Sequence, residues 1–283
     1  MTKMRILSAL LAAAIAAPGA AIAAGGKTEV EDVSFSFEGP FGTYDKMQLQ
    51  RGFQVYHEVC KSCHGLKYLA FRDLGRSDGP GFPEAQIKAI AAEYEVADEE
   101  GEPGDTRAAK ASDNFPGNNS AGAPDLTLMA KARAGFHGPS GLLINQFFKG
   151  IGGPEYIYSI LTKYTGEEKE VAGAFLYENK AMPGGLISMA PPLSEGLVEY
   201  VVPVPKGHGE GDDHGDEHAA PDAPEATVEQ MAKDVSAFLM WAAEPTMVER
   251  KQAGFRNLIM ILILAVLLYY TNKKLWAPVK RKS

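Results

Sequence analysis

Cysteine is almost absent from this chain, which has two cysteines, Cys60 and Cys63, among its 283 residues. With no other thiols, the chain has no further internal disulfide, so its folded part must depend on core packing and on any bound cofactor. The pair itself is compatible with a single structural disulfide, a thioredoxin-like redox pair or half of a zinc site. The residue that follows the pair separates these possibilities.

The two cysteines belong to the sequence Cys60-Lys61-Ser62-Cys63-His64. C-x-x-C-H is the covalent attachment site of a c-type haem, in which the two thiols add across the vinyl groups and the histidine becomes the proximal iron ligand. A redox pair would need a strand-to-helix context without a following histidine, and a zinc site would need two more closely spaced ligands. The motif therefore predicts one covalently bound haem c.

Acidic residues are absent from both ends of the chain. Eight of the 28 basic residues lie outside Gly25–Gln252, whereas all 36 acidic residues lie inside it, which gives this interval a net charge of about −16. The negative electrostatic field of such a charge disfavours nucleic acid or an anionic membrane surface as a partner and favours a basic protein. Plain solubility is the alternative, but a haem beside this charge indicates a basic electron carrier as partner.

The first 24 residues are typical of a secretory signal peptide. Lys3 and Arg5 precede the apolar stretch Ile6–Ala17, and small residues follow, with cleavage expected near Ala23 or Ala24. Export agrees with haem attachment, because c-type cytochromes mature outside the cytoplasm. The bacterial periplasm is the expected compartment.

A second membrane signal lies near the C-terminus. The uncharged run Leu258–Tyr270 is shorter than a bilayer core of ~30 Å requires, but Ala253–Trp276 is long enough. A buried core helix is the alternative, and the positive residues that follow argue against it. They mark a cytoplasmic tail and are Lys273, Lys274, Lys280, Arg281 and Lys282. The predicted organisation is a periplasmic haem domain over 25–252, one span over 253–276 and a basic tail over 277–283.

Two amphipathic helices are predicted to bracket the haem domain. The first carries the haem motif on its apolar face and ends at Gly65; its apolar positions are Leu49, Phe53, Tyr56, Cys60 and Cys63. The second begins at a capping box of Thr227 and Gln230 and ends at Pro245. Its apolar face is Val228, Met231, Val235, Phe238, Leu239 and Ala242. This pattern predicts a mainly α c-type cytochrome domain with long irregular loops.

The sequence between these helices is mostly irregular. Ser77–Pro83 and Ser112–Pro124 are loops by composition, and Leu126–Ala134 and Gly141–Lys149 could form short helices. The acidic segment Glu93–Asp105 is expected to be a solvated insertion.

The segment Gly207–Glu225 is acidic and rich in histidine, proline and alanine, which is typical of a mobile loop or linker. Its His208, His214 and His218 could bind a metal, but histidines in an unstructured segment bind metals adventitiously. We therefore expect no functional metal site there.

A haem that only transfers electrons keeps both axial positions filled, and a thioether as the second ligand raises the potential. Two methionines lie in loops stiffened by proline: Met182 before Pro183 and Met189 before Ala190-Pro191. Spacing does not choose between them, and each could instead be a packing residue.

Four segments together resemble the cytochrome c1 family, the haem subunit of the ubiquinol–cytochrome c oxidoreductase (the cytochrome bc1 complex), in its alphaproteobacterial form. Besides the haem motif they are Gly122–Leu126 (GAPDL), Met189–Pro192 (MAPP), and Ala232–Val235 (AKDV) with its continuation Phe238–Pro245 (FLMWAAEP) before a single span. The resemblance covers nearly the whole mature chain. The W-A-A-E-P ending is more specific than the haem motif.

The resemblance implies roles for six residues. Cys60 and Cys63 would form the thioether links to haem, and His64 would be the proximal iron ligand. Met189 rather than Met182 would be the distal ligand. Arg133 would pair with a haem propionate, and Pro124 would lie in the haem wall. An ordinary surface arginine is the alternative for Arg133. Some bacterial relatives have an extra disulfide before the distal methionine, and this chain lacks its cysteines.

The resemblance also implies the function. The haem would accept an electron from a Rieske iron–sulfur protein and pass it to a soluble or anchored cytochrome c. The partners would be cytochrome b and the Rieske protein in a homodimeric complex, and the chain would not be an enzyme alone. One alternative is a free-standing membrane-anchored cytochrome c that serves an oxidase or a reaction centre. Another is a haem enzyme or gas sensor with an open distal site.

Overall fold

The computed structural model describes residues 28–98, 101–102, 104–118, 122–135, 148–200 and 224–280. The predicted signal peptide, nearly all of the possible helix 141–149, the three histidines of the 207–225 segment and residues 281–283 lie outside the described residues. The predictions made for them stay predictions.

Six α-helices and five strands make up the regular structure of the described residues. The helices are α1 (Lys46–Glu58), α2 (Glu84–Ala92), α3 (Met129–Ala132), α4 (Gly153–Thr162), α5 (Val228–Ala243) and α6 (Met247–Lys280). The strands are β1 (Glu95–Ala97), β2 (Thr106–Ala108), β3 (Tyr164–Val171), β4 (Ala174–Asn179) and β5 (Leu186–Ile187), and 3₁₀ turns cover Cys60–Ser62 and Phe71–Gly75. The mainly α fold with long irregular loops is confirmed.

Helix α1 is the predicted first helix, but it ends earlier than predicted. Asp45 caps its N-terminus by accepting hydrogen bonds from the backbone N–H groups of Met47 and Gln48. The helix ends at Glu58 rather than Gly65. The chain tightens there into a 3₁₀ turn, so the haem motif follows the helix instead of lying on it.

Helix α5 is the predicted second helix, with both ends where the sequence places them. The Thr227 hydroxyl accepts from the backbone N–H of Gln230 at 3.1 Å. The reciprocal half of the capping box is missing, because the Gln230 amide donates instead to Asp234. The predicted apolar face is buried apart from Val228, which is partly buried.

The crossing of α1 and α5 is the centre of the core. A Cβ atom on Gly52 would lie 2.0 Å from the carbonyl oxygen of Asp234, so only glycine permits this approach. Phe53 and Tyr56 of α1 pack their rings against Phe238 of α5, with centroids 5.6 and 5.9 Å apart. The close backbone contact thus brings three aromatic rings together.

The strands were not predicted. β1 lies in the acidic segment Glu93–Asp105 and pairs antiparallel with β2, which begins just after that segment. β3, β4 and β5 form a separate antiparallel sheet. The turn from β3 to β4 is Ala172-Gly173, both with positive φ (55° and 82°). An alanine in that position hides the turn from sequence inspection, because Asn-Gly or Asp-Gly is the usual signal.

The irregular segments otherwise follow the predictions. Ser77–Pro83 and the described part of Ser112–Pro124 contain no helix. The predicted short helix over Leu126–Ala134 is reduced to the single turn of α3.

Helix α6 is the predicted anchor. Its first 32 residues, Met247–Pro278, form a stretch long and apolar enough to cross a membrane. None of the most apolar part of this stretch is buried. At ~1.5 Å per residue it extends about 48 Å, more than the ~30 Å bilayer core. Three residues separate it from the end of α5, and it begins at Met247 rather than Ala253. Helix α6 fits a single-pass membrane anchor, and a short connection joins it to α5.

Candidate haem-attachment site

The turn after α1 brings both cysteines and the histidine of the motif together. The backbone N–H groups of Cys63 and His64 both donate to the Cys60 carbonyl, at 3.2 and 2.9 Å. The Asn118 amide donates to the carbonyls of Lys61 and Ser62, at 3.1 and 2.9 Å. The turn is therefore held both by its own hydrogen bonds and by the Asn118 side chain, which belongs to a loop distant in the sequence.

The two thiols do not have the character of a redox pair. Cys60 is partly buried, Cys63 is exposed, and they form no disulfide with each other. Burial, with Cys63 contributing, raises the pKa of the Cys60 thiol to about 12. Catalytic dithiols need a lowered pKa. The described residues also contain no cluster of three His, Cys, Asp or Glu residues that could hold a metal ion.

The orientation of His64 is set by a backbone carbonyl from a remote segment. The Nδ1 atom of His64 lies 2.7 Å from the carbonyl oxygen of Pro124. If Nδ1 carries the proton and donates it to that oxygen, the lone pair of Nε2 is free to bind iron. The Tyr56 hydroxyl also donates to the His64 carbonyl, at 3.1 Å.

The segment after Pro124 continues along the motif. The Leu126 N–H donates to the Gly65 carbonyl at 2.9 Å, and the Asp125 carboxylate accepts from the Lys67 N–H at 2.9 Å. A Cβ atom on Gly65 would lie 2.6 Å from the backbone nitrogen of Asn118. Gly65 is thus needed for close approach of two loops, and it does not end a helix.

The two candidate methionines have different surroundings. The Met182 sulfur accepts from the Tyr156 hydroxyl at 3.7 Å. Met189 is held instead through its backbone, because the Tyr164 hydroxyl donates to its carbonyl at 2.9 Å. Both side chains are partly buried. The loop of Met189 is therefore anchored without using the thioether.

Arg133 lies immediately after α3 and is exposed. Its guanidinium donates to the neighbouring Ala132 carbonyl at 3.4 Å, a weak contact. Burial raises the pKa of the Tyr156 phenol, and the nearby Arg133 opposes that rise. Arg133 therefore lies next to Tyr156, whose hydroxyl in turn contacts the sulfur of Met182.

Four residues of this site escaped sequence analysis in these roles. Asn118, Tyr156 and Tyr164 were not singled out, and Tyr56 was predicted only as a member of the buried helix face. Each acts through side-chain hydrogen bonds to residues elsewhere in the chain. No local pattern in the sequence signals such a bond.

The geometry fits a c-type haem. Two unpaired thiols and an imidazole with a carbonyl behind its Nδ1 share one turn, and a partly buried methionine lies in a separately anchored loop. With the one helix of the described residues that is apolar and long enough to cross a membrane, α6, these features define a membrane-anchored c-type haem protein.

Comparison with known proteins identifies the family within this class. The model of the Cytochrome C1 family matches residues 35–206 and 215–279. The chain therefore belongs to the cytochrome c1 family, the electron-transferring haem subunit of the cytochrome bc1 complex, and it carries a covalently bound haem c. The predicted resemblance and cofactor are confirmed.

Individual relatives agree with this assignment. The chain is 47% identical to cytochrome c1 of Cereibacter sphaeroides over 99% of this chain and 98% of the relative. It is 32% identical to the mitochondrial haem protein cytochrome c1-1 of Solanum tuberosum, over 90% of this chain and 72% of that protein. It is also 39% identical to the cytochrome b/c1 protein of Bradyrhizobium diazoefficiens, over 86% of this chain and 35% of that protein.

Proposed function

We propose that this chain accepts one electron from a Rieske iron–sulfur protein and passes it to a soluble or anchored cytochrome c. The observation that carries this proposal is the turn that places two free thiols beside a histidine oriented by Pro124. A relay needs a haem held firmly on both sides, because small reorganisation favours electron transfer. The net charge of about −16 over Gly25–Gln252 supports a basic acceptor.

The proposed haem contacts combine sequence and geometry. Cys60 and Cys63 form the thioether links, and His64 binds iron through Nε2. Met189 is the distal ligand rather than Met182, because the Met182 sulfur already accepts from Tyr156. When bound, the haem supplies the one-electron chemistry; the residues of the chain position it and exclude other ligands.

Two further residues are proposed to contact the haem. Arg133 pairs with a propionate, since its guanidinium is exposed, contacts the Ala132 carbonyl only weakly and has a fork of donors suited to a bidentate bond. Pro124 lines the haem wall, since its carbonyl lies behind the His64 ring.

The proposed partners in the membrane are cytochrome b and the Rieske protein, in a homodimeric complex. The relative from Bradyrhizobium diazoefficiens, named cytochrome b/c1, supports cytochrome b as the neighbour of α6. We propose that residues 1–24 are removed, that residues 25–252 face the periplasm and that the basic tail 277–283 is cytoplasmic. The positive residues after the span support this orientation.

The free-standing carrier is less well supported. A haem domain that shuttles on its own needs a long tether, whereas α5 ends at Ala243 and α6 begins at Met247. The gas-sensor alternative requires an open distal site, which a firmly held Met189 would close.

The proposed function is tested on the complex purified from membranes in a mild detergent. We expect a b-type cytochrome and a Rieske protein in the subunit inventory. We also expect a thioether–iron charge-transfer band in the oxidised spectrum and reduction of added basic cytochrome c by quinol. Purification without cytochrome b would instead support the free-standing carrier. Carbon monoxide binding by the reduced haem would contradict the relay.

A further inference from the structure

A cleft of about 730 Å³ lies where α6 leaves the haem domain. Its walls come from the segments 37–41 and 149–155, α3, the end of α5 and the first turns of α6. Its apolar lining includes Phe41, Phe255 and Leu258, and Leu258 begins the uncharged run of the anchor. The volume is typical of a small-molecule site, about 300–1,000 Å³, and the position is at the membrane interface.

One wall of the cleft contains a buried carboxylate with an unused oxygen. Glu155 is 1% exposed, and its Oε2 atom has no hydrogen-bond partner within the described part of the chain. The pKa of Glu155 is raised to about 7, mainly by burial and also by the nearby Glu38 and Asp32, against the opposing effects of its own backbone N–H and of Lys149. An unsatisfied buried carboxylate is costly. A hydrogen-bond donor, preferably a cation, is therefore missing from this position.

The same cleft contains a half-buried cation. The Lys251 ammonium donates to the backbone carbonyls of Phe37 and Gly42, at 2.6 and 3.3 Å, rather than to a carboxylate. By contrast, Lys131 and Arg250, which also line the cleft, both pair with Glu244. Lys251 can therefore accept an anionic group as an additional partner.

Among the described residues, a buried carboxylate oxygen without a donor and an ammonium bonded to backbone carbonyls call for a ligand with both charges. A purely anionic headgroup would be repelled by Glu155 and a purely cationic one by Lys251. Among phospholipids, phosphatidylethanolamine carries both a phosphate and an ammonium with N–H donors. Phosphatidylcholine has no N–H to donate, and phosphatidylglycerol has no cation.

We propose that this cleft binds the headgroup of phosphatidylethanolamine. The ammonium donates to Glu155 Oε2, the phosphate accepts from Lys251, and an acyl chain follows α6 past Phe255 and Leu258. The bound lipid fixes the angle between the haem domain and the anchor, since it bridges the segment before α4 and the start of α6. This site is independent of the electron donor and acceptor proposed above.

The test is lipid competition followed by native mass spectrometry. The haem-loaded full-length protein, with the subunits that purify with it, is delipidated in detergent and offered equal amounts of phosphatidylethanolamine, phosphatidylcholine and phosphatidylglycerol. We expect one phosphatidylethanolamine to be retained at least about tenfold more strongly than the other two, a factor that corresponds to about 1.4 kcal/mol. Glu155→Gln should abolish this preference, whereas Glu170→Gln on exposed β3 should preserve it.

Three outcomes would overturn the proposal. One is equal retention of the three lipids, and another is stronger retention of phosphatidylglycerol. The third is a Glu155→Gln variant with unchanged preference. A cross-link from Lys251 to another subunit, with no lipid retained, would assign the cleft to a protein partner instead. If Glu155→Gln fails to mature, the competition on the unmodified protein and on Lys251→Gln still decides whether the cleft binds phosphatidylethanolamine.

Discussion

The imidazole of His64 and the carbonyl oxygen of Pro124 lie 2.7 Å apart although 60 residues separate them in the chain. This bond joins the turn after α1 to the segment before α3, and the Gly65–Leu126 and Lys67–Asp125 hydrogen bonds continue it. A histidine held from behind keeps one ring orientation and one tautomer. For the proximal-ligand role that we propose for His64, this contact explains how the ring is oriented.

Gly65→Ala should disrupt this arrangement. The added Cβ would lie 2.6 Å from the Asn118 nitrogen and 2.7 Å from the Pro116 carbonyl, so two backbone segments would have to separate. We expect a loss of about 1–3 kcal/mol in the free energy of unfolding and less mature protein. A peroxidase-stained denaturing gel and thermal unfolding measure both effects.

Gly117→Ala is the matched control, because its Cβ would meet nothing nearer than 3.9 Å. Equal behaviour of the two variants would show that close approach at Gly65 is not what the site needs.

Met189→Leu should lower the haem potential and open the distal site. Loss of a thioether ligand removes the stabilisation of Fe(II), so we expect a fall on the order of 0.1 V or more and binding of carbon monoxide by the reduced protein. Redox titration and carbon monoxide difference spectra measure these changes.

Met182→Leu is the comparison variant, and we expect its potential to stay near that of the parent. The Tyr156 hydroxyl would lose an acceptor, but the distal ligand would be unaffected. The reverse pattern, with the loss of potential in Met182→Leu alone, would reassign the ligand.

Arg51→Met should destabilise the crossing of α1 and α5. The Arg51 Nε atom lies 2.8 Å from the Asp234 carboxylate, whose side chain is fully buried. Removing one partner of a buried ion pair costs about 3–5 kcal/mol. Gln48 and Gln230 also donate to Asp234 and would still partner its carboxylate, so we expect a loss near the lower end of this range. Thermal unfolding of the haem-loaded protein measures it.

Lys88→Met provides the control for a pair at the surface. Lys88 and Glu84 form an exposed i,i+4 pair on α2, so we expect a much smaller loss of stability than for Arg51→Met. A similar loss in both variants would mean that the buried pair contributes no more than a surface pair.

Glu155 should make the stability of the delipidated protein depend on pH. Its pKa is raised from 4.5 to about 7, so the folded form binds the proton more tightly than the unfolded form. The resulting stabilisation is complete below pH 4.5 and is lost as the pH rises through 7, by about 3 kcal/mol. Glu155→Gln should therefore match the parent at pH 4 and exceed its stability at pH 8.

The measurement is the difference in the free energy of unfolding between Glu155→Gln and the parent across this range, with Glu170→Gln as the exposed control. A difference that stays constant with pH would show that Glu155 titrates normally and is not desolvated as the structure indicates.

Much of this protein was predictable because its signals are local. The haem motif is five consecutive residues, the anchor is a continuous apolar stretch, and the predicted cap Thr227 lies three residues before the N–H group it binds. The end of α1 was wrongly predicted because an apolar periodicity that includes Cys60 and Cys63 does not distinguish an α-helix from a helix followed by a 3₁₀ turn. The β3–β4 hairpin was missed because Ala172 occupies a position where glycine or asparagine is usual.

The sequence by itself determined that this chain carries a covalently bound haem c, that it has an anchor helix and that it resembles cytochrome c1, since each of these features is signalled by a short contiguous pattern; Cys60 and Cys63 are its predicted attachment residues. Only the tertiary structure decided which carbonyl lies behind His64, which tyrosine meets each methionine and which carboxylate is buried beside the anchor. Contacts of this kind join residues far apart in the chain. They depend on how the elements pack, and no local pattern of residues encodes that.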